Sequence, residues 1–493
     1  MADSTSRREA QIALFNALKL GASLLVTWSI ALGARVVLPR HLGPEQFGVF
    51  GFADAFAIAC FVLATFGLET YIQKEIPLRP WHASEFFGAV LLIRALLLPV
   101  MVGVMGAVLE SAGRPAEMRQ VVYLFAVGQF FFVNNTTFSA LLHASTQVDG
   151  LSIVNVVGKL LWGVGIALAL TTGAGLVGLA AAFIASEAFK SLALFRLCRK
   201  HVGLRLTCDL RVGARVLWAS AAFFLTTLSL TLHTHLDVNL IAFLTNDSEV
   251  GWYSAATSLA NLALLLTPLI SSVLMPLFAR AAARSEEELT TAIRRSLELI
   301  LSLAIPTSLA LGLGAEVWIG VVAGPGFEPA AMSLRALAPL FVCTYLAILC
   351  ATFLNLLGRA WTVTWISVSA LGVNVVLNLL FIAPGLALFG PGGAGTGAAI
   401  ATIGTEGATC VLMLSVIGRR ALDRRVISTL ARTFGVVVAV TALHLSLAGL
   451  GAWRLLVDAV AYVVLALAVR AIRLDEVVQF ARTALQQRRG AVR

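Results

Sequence analysis

Three cations stand inside otherwise apolar runs: Arg35 in Ala31-Leu32-Gly33-Ala34-Arg35-Val36-Val37, Arg94 in Leu91-Leu92-Ile93-Arg94-Ala95-Leu96, and Lys159 in Val156-Val157-Gly158-Lys159-Leu160-Leu161. A guanidinium grips phosphate or carboxylate bidentately, and an ammonium acts as a point charge. Facing one cavity, these three would bind an anion such as a pyrophosphate or an acidic sugar. A charge at the centre of a membrane helix costs roughly 2.5–3.5 kcal/mol on insertion scales, so it turns inward or snorkels to the headgroups. Snorkelling is the stronger reading for Lys19, Lys190 and Arg335, which lie close to span ends.

The acids in comparable surroundings are Asp54, Glu187, Asp237 and Glu406. His233 and Asp237 are four residues apart and share a helical face, with His235 off it. Asp54, His233, Asp237 and Glu406 are thus the candidates for ion coupling or for a structural polar role, with both alternatives open. Glu187 and Lys190, three apart, form a local ion pair. Enzymatic signatures are missing: no H-E-x-x-H, no G-x-x-x-x-G-K-[ST], no nucleophile elbow. The expectation is a chain with no catalytic residues, no metal and no cofactor, whose uphill work must draw on an ion gradient, the membrane potential or substrate supply. The six cysteines are scattered without a C-x-x-C pair and suggest neither a metal site nor a disulfide framework.

The elements that must position these residues follow from composition. Of 493 residues 59% are hydrophobic and 13% charged, and mean hydropathy is +0.90. These values belong to a membrane protein. The apolar runs are continuous, without the alternation of barrel strands, so the fold class is an all-α polytopic bundle. At roughly 20 residues per span the length holds about fourteen helices. They are placed at 12–39, 47–72, 84–110, 119–143, 151–171, 175–195, 214–244, 250–278, 296–322, 331–357, 361–384, 394–417, 431–450 and 452–470. The N-terminal apolar run is too long for a signal-peptide core and reads as a retained first helix.

Charge tests that placement. Of the 36 Lys and Arg, 26 fall in one set of loops and termini, 4 in the opposite set and 6 within spans. The bias puts both termini in the cytoplasm and requires an even number of spans. The net charge of +10 is therefore topological, and nucleic acid is not an expected partner.

Basic linkers at Arg196–Arg215 and Arg419–Arg432 divide the chain into residues 1–205, a six-helix bundle, residues 206–425, a second six-helix bundle, and residues 426–493, two further helices with a basic cytoplasmic tail. An internal echo supports the division, because Glu45-Gln46-Phe47-Gly48-Val49-Phe50 resembles Ser248-Glu249-Val250-Gly251-Trp252-Tyr253 at an offset of 203. Parallel repeats of this kind are a transporter architecture. The run Gly390-Pro391-Gly392-Gly393-Ala394-Gly395-Thr396-Gly397 only superficially resembles a phosphate loop and reads as a tight turn opening a close-packed twelfth span.

Three segments resemble the oligosaccharide flippases, the Wzx-type polysaccharide transporters of the multidrug/oligosaccharidyl-lipid/polysaccharide superfamily. The first is Leu42-Gly43-Pro44-Glu45-Gln46-Phe47-Gly48-Val49-Phe50 with Phe66-Gly67-Leu68-Glu69-Thr70 and Gln73-Lys74-Glu75. The second is Leu236-Asp237-Val238-Asn239 with Val250-Gly251-Trp252-Tyr253-Ser254 and Pro276-Leu277-Phe278-Ala279-Arg280. The third joins Asn374-Val375-Val376-Leu377-Asn378 to the Gly393–Thr402 stretch.

The resemblance implies two six-helix bundles in a V around a central cavity, with two extra C-terminal helices, working by alternating access. It also implies an undecaprenyl-pyrophosphate-linked oligosaccharide carried from the cytoplasmic to the periplasmic leaflet of a bacterial inner membrane, for export of an O-antigen, capsule or exopolysaccharide. Arg35, Arg94 and Lys159 fit the family's cationic cavity. Membrane lipid, the lipid-linked oligosaccharide, a polysaccharide polymerase and a chain-length regulator are the implied partners. A cation-coupled drug exporter of the same superfamily is the alternative, and its cavity should be acidic and aromatic. A polytopic glycosyltransferase or ligase would want a larger outer loop than any here.

Overall fold

The computed structural model describes residues 2–262, 274, 278, 280–418 and 423–469, with side chains described from residue 25 onward, Val148 and Arg425 excepted. Among the described residues all regular structure is helical. Eleven helices are long and apolar enough to cross a membrane, or twelve if a pair bent by 62° counts as one span. The expected fourteen are thus not all counted separately, for two identifiable reasons. Spans one and two form one run, α1 (Ala2–Phe61), which passes through the non-helical Gly43 (φ 70°, ψ 173°). The first part of the expected span eight is α9 (Asp247–Ala260), and most of its remaining positions lie outside the described residues. Parts of the second resemblance segment, the side chain of Lys19 and the basic tail from Arg470 also lie outside them.

The first unit takes in the described residues up to Phe243. It contains α1, α2 (Leu68–Glu75), α3 (His82–Ser111), α4 (Ala116–Ala144), α5 (Val148–Thr171), α6 (Gly175–Leu197), α7 (Leu210–Ala219) and α8 (Ala221–Leu244). At the end of α1 the helix gives way to a 3-10 turn at Val62–Ala64, and Phe66 and Gly67 both adopt left-handed φ before α2 begins. Helix α4 packs on α1 and α6, and α5 on α1 and α6. An aromatic and aliphatic core of Leu68, Ile72, Phe86, Phe87, Phe138 and Leu141 closes one end, with Phe87 and Phe138 stacked 5.1 Å apart.

The second unit starts at Leu244. It comprises α9, α10 (Glu286–Leu313), α11 (Ala315–Val322), α12 (Ala330–Leu337), α13 (Leu340–Leu356), α14 (Ala360–Phe389), α15 (Gly393–Ile417), α16 (Arg424–Ser446) and α17 (Arg454–Ala468). Its main core joins Phe278, Ile293, Leu297, Leu349 and Phe353. Val436, Val440, Tyr462 and Ala466 of the last two helices pack on Ile305, Leu309 and Leu313 of α10. Within that last pair, His444 Nδ1 and Asp458 Oδ2 lie 2.6 Å apart, both buried.

The contact boundary therefore differs from the division at residues 205 and 425. Helices α7 and α8 belong with the first unit because Asn239 donates to the Ala55 carbonyl (3.4 Å) and Phe243 packs edge-on against Phe52 and Phe56. Residues after 425 join the second unit through α10. A basic linker marks where the chain crosses the surface, whereas side-chain packing decides which bundle each helix joins.

The glycine-rich run opens α15 as the sequence suggests, and its small residues let α14 and α15 approach backbone to backbone. A Cβ at Gly397 would fall 2.0 Å from the Phe381 carbonyl oxygen, and one at Gly393 2.3 Å from that of Gly385. At Gly407 on the same helix a Cβ would meet nothing within 4 Å. Gly397→Ala is accordingly expected to cost about 1–3 kcal/mol by forcing the helices apart, and Gly407→Ala nothing. Thermal denaturation midpoints in detergent would show the contrast, and equal midpoints would contradict it.

The same helix N-terminus does hold an anion, which comes from the protein itself. Glu249, 1% exposed, accepts from the backbone N–H of Gly392 (2.7 Å) and Ala394 (3.2 Å). A buried carboxylate is stable there because free amides and the positive end of the helix dipole meet it.

Candidate functional site

The charged side chains inside the first unit fall into two groups, separated by helical rotation. Helix α4 carries the polar run Asn134-Asn135-Thr136-Thr137 within an apolar span. Successive helical residues point roughly 100° apart, so Asn134 and Thr137 serve one neighbour and Asn135 another.

The first group surrounds Arg94, which is 2% exposed. Its Nε donates to the Ala64 carbonyl (2.8 Å), Nη2 to the Thr65 carbonyl (3.3 Å), and Nη1 to Thr137 Oγ1 (2.9 Å), Asn134 Oδ1 (3.0 Å) and the Val133 carbonyl (3.3 Å). Phe66 lies with its ring centroid 5.9 Å from the guanidinium carbon. The carbonyls at Ala64 and Thr65 sit where α1 stops being helical. Arg94 thus supplies the Ala64 carbonyl with a donor, adds one to the Thr65 carbonyl that also accepts the Leu68 N–H (3.2 Å), and ties the break to α4. In this structure the Arg94 guanidinium spends its hydrogen bonds on the protein interior.

The second group joins α1, α4, α5 and α6. Glu187, 6% exposed, receives the Asn135 amide at Oε2 (2.8 Å) and the Lys190 ammonium at Oε1 (2.9 Å). Ser191 Oγ donates to Asn135 Oδ1 (2.7 Å). The stem of Lys190 crosses α5 at Gly158, where a Cβ would lie 2.6 Å from Lys190 Cγ and Cδ. Lys159 is half-buried, its ammonium 3.6 Å from the centroid of Trp162. It feels the charges of Lys190, Glu187, Arg35 and Asp54. Asp54, also half-buried, accepts a hydrogen bond from Gln129.

With Glu187 and Lys190 neutralising each other, Arg35 and Lys159 outweigh Asp54 by one positive charge. The interior cluster is mixed in sign with a cationic excess, and two of the three expected cations belong to it. An ammonium over an indole face, within electrostatic reach of a guanidinium and a half-buried carboxylate, can hold an anion while the acid adjusts the local charge.

The other candidates are carried by different helices. Asp237 is 4% exposed on α8, with His233 half-buried one turn before it. Asn239, two residues on, donates to the carbonyls of His235 and Ala55, which places the Leu236–Asn239 motif against the segment of α1 that bears Asp54. Glu406 is half-buried on α15 of the second unit. Arg335 forms a solvent-exposed pair with Glu316 (3.0 Å), which also meets Arg454 (3.7 Å). Exposed pairs of this kind add little stability.

The sequence reading missed Gln129, Asn135 and Ser191. The signal available was the polar run on α4 itself, because uncharged polar residues in a span also need partners.

A family model described as "Polysaccharide biosynthesis protein" matches residues 37–332. The chain belongs to this polysaccharide biosynthesis family. Among solved structures, a lipid II flippase MurJ in an inward closed conformation matches with a TM-score of 0.70 at 13% identity, over 94% of this chain and 100% of that one. An inward-facing multidrug resistance MATE family transporter of the MOP superfamily matches with a TM-score of 0.63 at 17% identity, over 80% and 94%. A MOP superfamily transporter from Pyrococcus furiosus matches with a TM-score of 0.53 at 17% identity, over 83% and 96%. No curated protein matches the sequence. This member of the polysaccharide biosynthesis family therefore has the MOP transporter fold and is a multi-pass membrane protein.

Proposed function

We propose that the protein is a flippase, not an enzyme, that carries a polyprenyl-pyrophosphate-linked oligosaccharide across a bacterial inner membrane from the cytoplasmic leaflet, by alternating access and without ATP, with both its termini in the cytoplasm. Membership of the polysaccharide biosynthesis family is the observation that carries the reading. The cationic excess around Arg35 and Lys159 supports an anionic headgroup as the cargo. A sugar and pyrophosphate cross only by a polar route, while the polyprenyl tail stays in lipid. The product then suits a polymerase and a chain-length regulator for lipopolysaccharide, capsule or exopolysaccharide.

A cation-coupled drug exporter is the second reading, favoured by Asp54 and Glu187 within the same cluster. Proteoliposomes separate the two. The flippase moves a lipid-linked oligosaccharide to the opposite leaflet without nucleotide and expels no organic cation down an imposed proton gradient. Cation export with immobile sugar lipid would establish the exporter instead.

A further inference from the structure

The elbow between α7 and α8 carries features that the transport site does not use. The two helices meet at Ser220 with a bend of 62°. If α8 spans the bilayer, α7 leans well over toward the membrane plane. Its buried side, Gly213 and Val216 with the partly buried Val212 and Leu217, packs on the first unit's core. The opposite face exposes Arg211, Ala214, Arg215 and Trp218, with Trp218 83% exposed. Neither guanidinium takes a protein hydrogen bond or ion pair among the described residues.

Beside this face is an open, almost wholly apolar surface cavity of about 390 Å³ lined by Phe66, Ala214, Leu217, Trp218, Ala221 and Phe224. Its floor is the broken end of α1. A Cβ at Gly67 would lie 2.3 Å from the Phe224 backbone nitrogen, so the elbow sits directly on that corner.

Two cations, an exposed indole and an apolar slot follow one another along a single surface. That order matches a lipid standing in one leaflet, with phosphate outermost, glycerol at the level of an interfacial Trp, and hydrocarbon deeper. We propose that the elbow binds an anionic phospholipid, with its phosphate on Arg211 and Arg215 and one acyl chain in the cavity beside Trp218. Charge complementarity selects this occupant over a zwitterionic lipid, because a headgroup with its own ammonium gains little from two guanidinium groups. The bound chain would lie against Phe66, next to the break that Arg94 holds, and so brace the elbow where α8 leaves the first unit's core. The inference requires only that the protein spans a membrane, and stands or falls separately from the sugar-lipid reading.

The test uses the full chain in phosphatidylcholine–phosphatidylglycerol vesicles free of any polyprenyl lipid, with bromine on the acyl chains of one lipid at a time. Trp218 is read as the difference in tryptophan fluorescence between the wild type and Trp218→Phe. With the two lipids in equal proportion, brominated phosphatidylglycerol should quench that component as though favoured roughly tenfold over phosphatidylcholine. Arg211→Gln with Arg215→Gln should bring the two labels level, while the paired Lys replacements should retain the preference. Ala214→Leu, which fills the cavity, should weaken quenching by bromine deep in the chain more than by bromine near the glycerol. Equal quenching by both lipids in the wild type, a preference that survives the paired Gln changes, or no quenching by either label would overturn the proposal.

Discussion

Replacing Arg35 and Lys159 together by Ala is expected to lower transfer of the lipid-linked oligosaccharide by at least about 100-fold, with protein levels and melting temperature close to the wild type. The size follows from losing two charge-assisted contacts to an anionic headgroup, each contributing about 1.5–3 kcal/mol. Normal folding follows from their setting. Both side chains are half-buried, and neither belongs to the Asn135–Glu187–Lys190–Ser191 network that fastens α4 to α6. Arg35→Lys should recover part of the activity, since an ammonium keeps the charge but cannot bind phosphate through two parallel hydrogen bonds. Transport at the wild-type rate in the double Ala variant would remove these two residues from the substrate path and leave the family assignment without a binding site.

Arg94→Ala is expected to behave in the opposite way, losing protein before it loses chemistry. The change would strip hydrogen bonds from the carbonyls of Ala64, Thr65 and Val133 and from the side chains of Asn134 and Thr137. A buried acceptor left unpaired costs about 1–3 kcal/mol. The Ala64 carbonyl and the Asn134 amide oxygen would be left so, whereas the Thr65 carbonyl keeps the Leu68 N–H and the Val133 carbonyl keeps the Thr136 and Thr137 hydroxyls, and two such losses are a sizeable part of a domain's margin of stability. Arg94→Lys should be intermediate, because one ammonium cannot reach both the break in α1 and the polar run on α4. Quantifying the protein in membranes, with a melting curve for the purified variant, decides the matter. Normal abundance and melting with abolished transport would return Arg94 to the ligand-binding set.

Much of the architecture was legible without coordinates because it depends on properties local in the chain. A bilayer admits only spans whose backbone is satisfied internally, so composition and run length alone called for an all-helical membrane protein. Glycines 393 and 397 of the 390–397 run could be read as close packing because few side chains permit helix backbones to touch. The Glu187–Lys190 pair was visible at three residues' spacing on one helix, and the structure forms it.

What the chain could not disclose is how each helix is rotated about its axis. Arg35, Arg94 and Lys159 look equivalent in sequence, each a cation in an apolar run. The rotation of α3 turns Arg94 toward a break in α1 and a polar run on α4, 29 to 43 residues distant in sequence. Adjacent asparagines 134 and 135 enter different networks for the same reason. The seventh and eighth helices join the first unit through contacts such as Asn239 to Ala55, 184 residues apart. The sequence by itself determined that the chain is a helical membrane protein and where its apolar spans and unusual charges lie, since hydrophobicity and helical spacing are written residue by residue. Only the tertiary structure decided which charge is wrapped in hydrogen bonds from the protein and which stands half-buried among charges of both signs, because a buried charge is defined by partners that distant segments supply.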